Sequence, residues 1–178
     1  MKKFLFAAAA VMMLFSYVSA VECFIDEDWS VLYFFDGEDE KGRWENTADG
    51  SIKYGESIAG FITATAKVGP HFVQGLLEIQ ENRIVPKDYK FYYAENGVLF
   101  AEGKIRNDMR QGFWTYYHTT GKRMAEGDYK NNLHHSFWLF YDPQGYKTEQ
   151  VSFTEGSIDR VVESDAFGWV KSFAEIKY

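Results

Sequence analysis

A period of 24 residues constrains this chain more than any other feature of its sequence. Gly97, Gly121 and Gly145 keep that spacing, and so do Tyr93, Tyr117 and Tyr141. Phe113-Trp114 returns as Phe137-Trp138, and Ala101-Glu102-Gly103 returns as Ala125-Glu126-Gly127. Ile105, Tyr129 and Phe153 form a further matched set, and Asn107 matches Asn131. A unit of this length is one supersecondary element that stacks on its neighbours to bury a shared face.

The unit from Gly112 to Tyr129 reads as two β-rich runs around Thr119-Thr120-Gly121, which is a hairpin signal. Turns are expected at residues 95–97, 119–121 and 143–145. A two-residue turn at Thr120-Gly121 sets Trp114 against Gly127, Tyr116 against Ala125 and Gly112 against Tyr129. Each large ring then faces a small residue, so glycine here makes room for a ring. The aromatic content of 19% and the 15 glycines suit strands and tight turns. The fold class expected is all-β: an open antiparallel meander of repeated hairpins with atypical capping segments at both ends.

Alternation sorts the two faces. Tyr92, Trp114, Tyr116, Trp138 and Phe140 fall on one face with Ala101, Gly103, Ile105, Ala125, Gly127, Tyr129 and Phe153. That apolar layer reads as core. The other face carries Tyr93, Phe113, Tyr117, Phe137 and Tyr141 together with Glu102, Lys104, Lys122, Glu126 and Asp128. Rings mixed with charges suit water or a partner. The candidate partner-binding face is therefore Tyr93, Phe113, Tyr117, Phe137, Tyr141, Glu102, Glu126 and Asp128. The structural repeat positions are Gly97, Gly121, Gly145, Gly103, Gly127, Trp114 and Trp138.

The clear repeats cover residues 89–156. Residues 24–88 read as a degenerate repeat or cap, with strands at Phe61–Ala66 and Leu76–Ile79 separated by Gly69-Pro70. Residues 157–178 read as a C-terminal cap, in which Phe167–Phe173 is either a closing strand or a short helix. No composition break calls for a second domain, so residues 21–178 are expected to form one.

Residues 1–20 have the three parts of a bacterial secretory signal peptide. Lys2-Lys3 is basic, Phe4–Val18 is an apolar run, and Val18-Ser19-Ala20 offers a small-residue cleavage site. The apolar run is shorter than the roughly 20 residues a membrane span needs. Cleavage after Ala20 would remove two lysines and no acid, taking the net charge from −7 to −9. The expected location is periplasmic or secreted, with no membrane span after cleavage.

An acidic chain repels phosphate backbones, which argues against nucleic acid as a partner. The single cysteine, Cys23, excludes an intrachain disulfide and a cysteine-based zinc site. Glu22 before it does not suit lipid attachment, so Cys23 reads as a free thiol near a mobile end or as a site for an intermolecular disulfide.

No nucleophile–base–orienter set is evident, and neither Gly-x-Ser-x-Gly nor His-Glu-x-x-His occurs. His134-His135 reads as a solvated inter-hairpin turn, because His134 holds the position of Arg110 one unit earlier. The acidic runs Asp26-Glu27-Asp28 and Glu38-Asp39-Glu40 read as solvated segments, not as two carboxylates facing across a cleft. The expectation is a protein without catalytic residues, metal or cofactor.

The units resemble the bacterial variant of the MORN repeat. The likeness rests on Tyr92-Tyr93, Gly97, Glu102-Gly103 and Gly112-Phe113-Trp114, then on Tyr116-Tyr117, Gly121, Glu126-Gly127 and Tyr129. The third unit keeps Phe137-Trp138, Tyr141 and Gly145. It departs at Ser136, where glycine is expected, and at Gln150-Val151, where Glu-Gly is expected. The resemblance implies a non-catalytic hairpin array. Similar variant-repeat proteins are often labelled antitoxin components of toxin–antitoxin pairs, and MORN repeats elsewhere are linked to membranes and scaffolding. With the leader sequence, this points to an exported protein-interaction or envelope-scaffold module, immunity- or antitoxin-like in one form, with an envelope component or toxin as partner. The alternative is a cell-wall or carbohydrate-active binding protein or hydrolase that uses the aromatic sheet face.

Overall fold

The computed structural model describes residues 22–26, 31–36, 38–47, 50–53 and 59–175. The leader at 1–20 lies outside the described residues. Fifteen strands and no helix make up the described chain. The first four are β1 (Glu22–Ile25), β2 (Val31–Asp36), β3 (Asp39–Thr47) and β4 (Gly50–Lys53). A long hairpin, β5 (Gly60–Val68) and β6 (His71–Gln80), follows, then the two-residue β7 (Arg83–Ile84). The repeat supplies β8 (Lys87–Tyr93), β9 (Leu99–Arg106), β10 (Met109–Tyr117), β11 (Arg123–Lys130), β12 (Leu133–Tyr141) and β13 (Lys147–Thr154). The chain ends on β14 (Ser157–Ser164) and β15 (Val170–Glu175).

From β8 to β15 each strand pairs antiparallel with the next, as a chain of hairpins requires. The closing segment is thus a strand and not a helix. At the other end β8 pairs with β6, β6 with β5, and β5 with β1. The last of these contacts is parallel, with Cys23 beside Ala64. A parallel pair needs a long connection, and here β2, β3 and β4 provide it while extending the sheet outward. The meander is therefore not continuous through the N-terminal cap.

Two kinds of turn alternate along the repeat. One sheet end uses two-residue turns with both residues at positive φ: Asn107-Asp108, Asn131-Asn132 and Glu155-Gly156. Asparagine and glycine tolerate that backbone best. The other end uses wider loops. His118 N donates to the Lys122 carbonyl and Gly121 N donates to the His118 carbonyl. The expected two-residue turn at Thr120-Gly121 is thus a loop over 118–122. A bulge beyond Tyr116 restores the register, so Trp114 still pairs with Gly127, Tyr116 with Ala125 and Gly112 with Tyr129.

The first repeat loop is one residue longer. There Tyr93 N donates to the Val98 carbonyl and Gly97 N donates to the Tyr93 carbonyl. Matched on these loop-closing bonds, Tyr93 takes the place of His118, not of Tyr117. A slip of one residue turns every side chain of a strand to the other face. Hence Phe91 and Tyr93 are buried, Tyr93 at 4% exposure, while Tyr92 is 42% exposed. The expected sides of Tyr92 and Tyr93 are reversed for this reason.

The buried residues form one cluster along a single face, from Cys23 and Ile62 through Phe91 and Trp114 to Trp138. No second layer covers it among the described residues. Rings that cover one another shield it. Tyr93 meets Phe100 at 5.3 Å between centroids, Phe100 meets Tyr116 at 5.5 Å, and Tyr129 meets Trp138 at 4.9 Å, all edge to face. Aromatic pairs favour such edge-to-face contacts. Cys23 belongs to this core, and burial pushes its thiol far above the ordinary range. It is no thiol on a mobile end.

Candidate functional site

The outer face of the repeat sheet carries seven of the eight residues proposed to meet a partner, and Tyr93 is the one that does not. Its hydroxyl points along the inner face and donates to the Tyr117 carbonyl at 2.8 Å. Phe113 and Phe137 are 56% and 55% exposed. Their exposure follows from the strand alternation, because Trp114 and Trp138 beside them take the inner face. Asp128 pairs with Phe113 across the β10–β11 ladder and with His135 across the β11–β12 ladder.

On the same face the tyrosines and glutamates form a repeated tie, one from β10 to β9 and one from β12 to β11. The Tyr117 hydroxyl donates to Glu102 Oε1 at 2.8 Å, and the Tyr141 hydroxyl donates to Glu126 Oε1 at 2.6 Å. Each glutamate also meets a cation: Lys90 stands 3.3 Å from Glu102, and Arg123 stands 3.3 Å from Glu126. The Tyr117 hydrogen bond, aided by Lys90, holds the Glu102 carboxyl below its ordinary range. Burial, then the neighbouring Glu102, pushes the Tyr117 phenol up. Tyr141 is pushed up in the same way, by burial and then by Glu126. Stabilised in its charged form, the Glu102 carboxylate is a poor proton donor near neutral pH. These groups therefore work as cross-strand ties that set the face rigidly.

The repeat glycines occupy the places their roles require. Gly97, Gly121 and Gly145 sit in the wide loops. Gly103 lies under the Trp114 ring and Gly127 under the Trp138 ring. No group of three or more His, Cys, Asp or Glu side chains is placed to hold a metal ion among the described residues. No helix among them is long and apolar enough to cross a membrane.

Sequence reasoning missed a polar cluster at the inner edge. Arg110 Nη1 donates to the hydroxyls of Tyr116 at 3.1 Å and Tyr129 at 2.9 Å. His134 Nε2 lies 3.2 Å from the Tyr129 hydroxyl, and its ring stacks on Phe153 at 4.8 Å. His134 thus belongs to β12 and to the packed ring ladder, and the solvated turn expected there is Asn131-Asn132 instead. The signal was present in the shared repeat position of Arg110 and His134. That position is the second residue past the tight turn, near the start of a strand.

No protein-family model matches the chain, and no curated protein matches it.

Proposed function

We propose that this chain is an exported, non-catalytic repeat protein whose outer sheet face docks a protein partner. It would serve as an interaction or envelope-scaffold module, with immunity- or antitoxin-like inhibition as one form. The observation that carries the reading is the pair Phe113 and Phe137, each more than half exposed on one sheet face at repeat spacing. Large rings held on a rigid surface are typical anchors of an interface. The tyrosine–glutamate ties beside them supply a polar surround whose ordering is complete before binding, which lowers the entropic cost of association.

Envelope extract passed over the immobilised mature chain tests this. One partner should be retained by the wild type and lost from a Phe113→Asp, Phe137→Asp variant that melts at the same temperature. Equal retention by both would end the proposal for this face. Export is tested separately by N-terminal sequencing of the envelope fraction, which should begin at Val21. Intact Met1 on a cytoplasmic pool would contradict it.

A further inference from the structure

The last hairpins break the repeat at the positions that line a pocket. Ser152 stands where Asp128 stands one unit earlier, and Arg160 stands where Ser136 and Gly112 stand in the two preceding units. Phe137 pairs with Ser152, Ser152 with Arg160, and Arg160 with Glu175, so the four form one lateral row across β12 to β15. The outer pocket at this row has a volume of about 470 Å³, with Phe137, Ser152, Thr154, Asp159, Arg160 and Glu175 in its lining. That size falls within the roughly 300–1,000 Å³ of small-molecule sites.

The polar groups are held in place. Thr154 Oγ1 donates to Asp159 Oδ2 at 2.8 Å, and Arg160 Nη2 donates to Glu175 Oε1 at 2.8 Å. Each carboxylate is anchored through one of its oxygens. The Arg160 guanidinium lies over the Phe173 ring at 5.2 Å, which fixes it further. Phe137 stands beside them, more than half exposed. The sequence change from Asp128 to Ser152 removes a bulkier charged group from the spot beside the ring.

We infer that this pocket binds a neutral saccharide, with one apolar sugar face on Phe137 and hydroxyls donated to Asp159 and Glu175. The chemistry matches on three counts. A pyranose ring offers an apolar face for an aromatic ring and hydroxyls for fixed acceptors. The Ser152 hydroxyl both donates and accepts, as sugar recognition needs. Two carboxylates against one guanidinium leave a local excess of one negative charge, which disfavours an anion. The pocket shares only Phe137 with the proposed partner face and does not rest on that reading.

Titration calorimetry of the mature chain with chitotriose and with maltotriose tests the site, with trilysine as the probe for a basic peptide. At least one trisaccharide should bind saturably. Phe137→Ala and Ser152→Asp should each weaken that binding by about tenfold or more. Phe113→Ala, the same position one unit earlier, should leave it unchanged and should still impair capture of a protein partner. Melting curves identify any variant that fails to fold, and Ser152→Asp restores a residue the preceding unit already accommodates. No saturable binding of either sugar, binding that survives both variants, or trilysine binding in their stead would overturn the assignment.

Discussion

The indole of Trp138 covers Gly127. A Cβ added to Gly127 would stand 2.5 Å from the ring's Cδ2 and Cγ atoms, far inside contact distance. One unit earlier the Trp114 ring covers Gly103 in the same way. Each indole nitrogen then reaches the carbonyl just past the glycine. Trp114 Nε1 donates to Lys104 at 3.2 Å, and Trp138 Nε1 donates to Asp128 at 2.9 Å. Trp114 is the ladder partner of Gly127, yet its ring leans back over Gly103.

Gly127→Val should therefore destabilise at the upper end of the roughly 1–3 kcal/mol typical of overpacking. The third unit shows how the site accepts valine. Val151 holds the glycine position, and the strand beyond brings Val161 and Val162 where a tryptophan would follow. The double variant Gly127→Val, Trp138→Val should thus be more stable than the sum of its parts predicts. Urea midpoints of the two singles and the double measure this coupling. Strict additivity would mean that the ring does not occupy the glycine's space.

Ser136→Gly should stabilise the chain, by about 1 kcal/mol or less. Ser136 adopts φ +58° at the bulge of β12, as Gly112 adopts φ +64° at the same place in β10. A left-handed backbone costs a residue with a Cβ roughly 1–2 kcal/mol, and glycine's larger unfolded-state entropy offsets part of the gain. Gly112→Ser should move the midpoint in the opposite direction. Matching shifts of both variants in one direction would contradict the strain.

Stability should fall as pH drops below about 6.5, the ordinary histidine value. Burial, then the charge of Arg110, holds the His134 imidazole below that value in the folded chain. The unfolded chain takes up this proton first, so the contribution is complete above pH 6.5 and is lost as pH falls through the folded value. His134→Phe keeps a ring against Phe153 and cannot titrate. Its stability should decline less steeply between pH 7 and 5, as chemical denaturation at each pH would show. Parallel curves for the two proteins would place the titration elsewhere.

Tyr141→Phe should cost about 0.5–1.5 kcal/mol, the net worth of a typical hydrogen bond. Glu126→Val should cost a similar amount and not be neutral, since Glu126 ties Tyr141 and Arg123. The two losses should overlap in the double variant, because both break one contact. Thermal denaturation of the three variants reads the coupling directly.

Cys23 should resist alkylation in the native state and react only on unfolding. Its side chain is fully buried in β1 beside Ala64, and a thiolate is costly there. Maleimide labelling followed by mass spectrometry along a urea series should track the unfolding curve. Prompt labelling in buffer would show that β1 is not docked.

The 24-residue period by itself determined the hairpins, their pairing partners and the alternation of a packed face with an exposed one. Those properties are local, since turn chemistry and side-chain period act over a few residues. Tertiary structure alone decided which side β8 shows, because one added residue in the loop after Tyr93 turns the strand over. It also decided that Trp138 and not Trp114 covers Gly127, since each indole lies over the preceding strand and donates to a carbonyl there. The parallel contact of β1 with β5, the Arg110–Tyr129–His134 cluster and the pocket at Arg160 share one cause. Each joins residues of strands that the pairing of the whole sheet sets side by side, beyond the few residues over which turn chemistry acts.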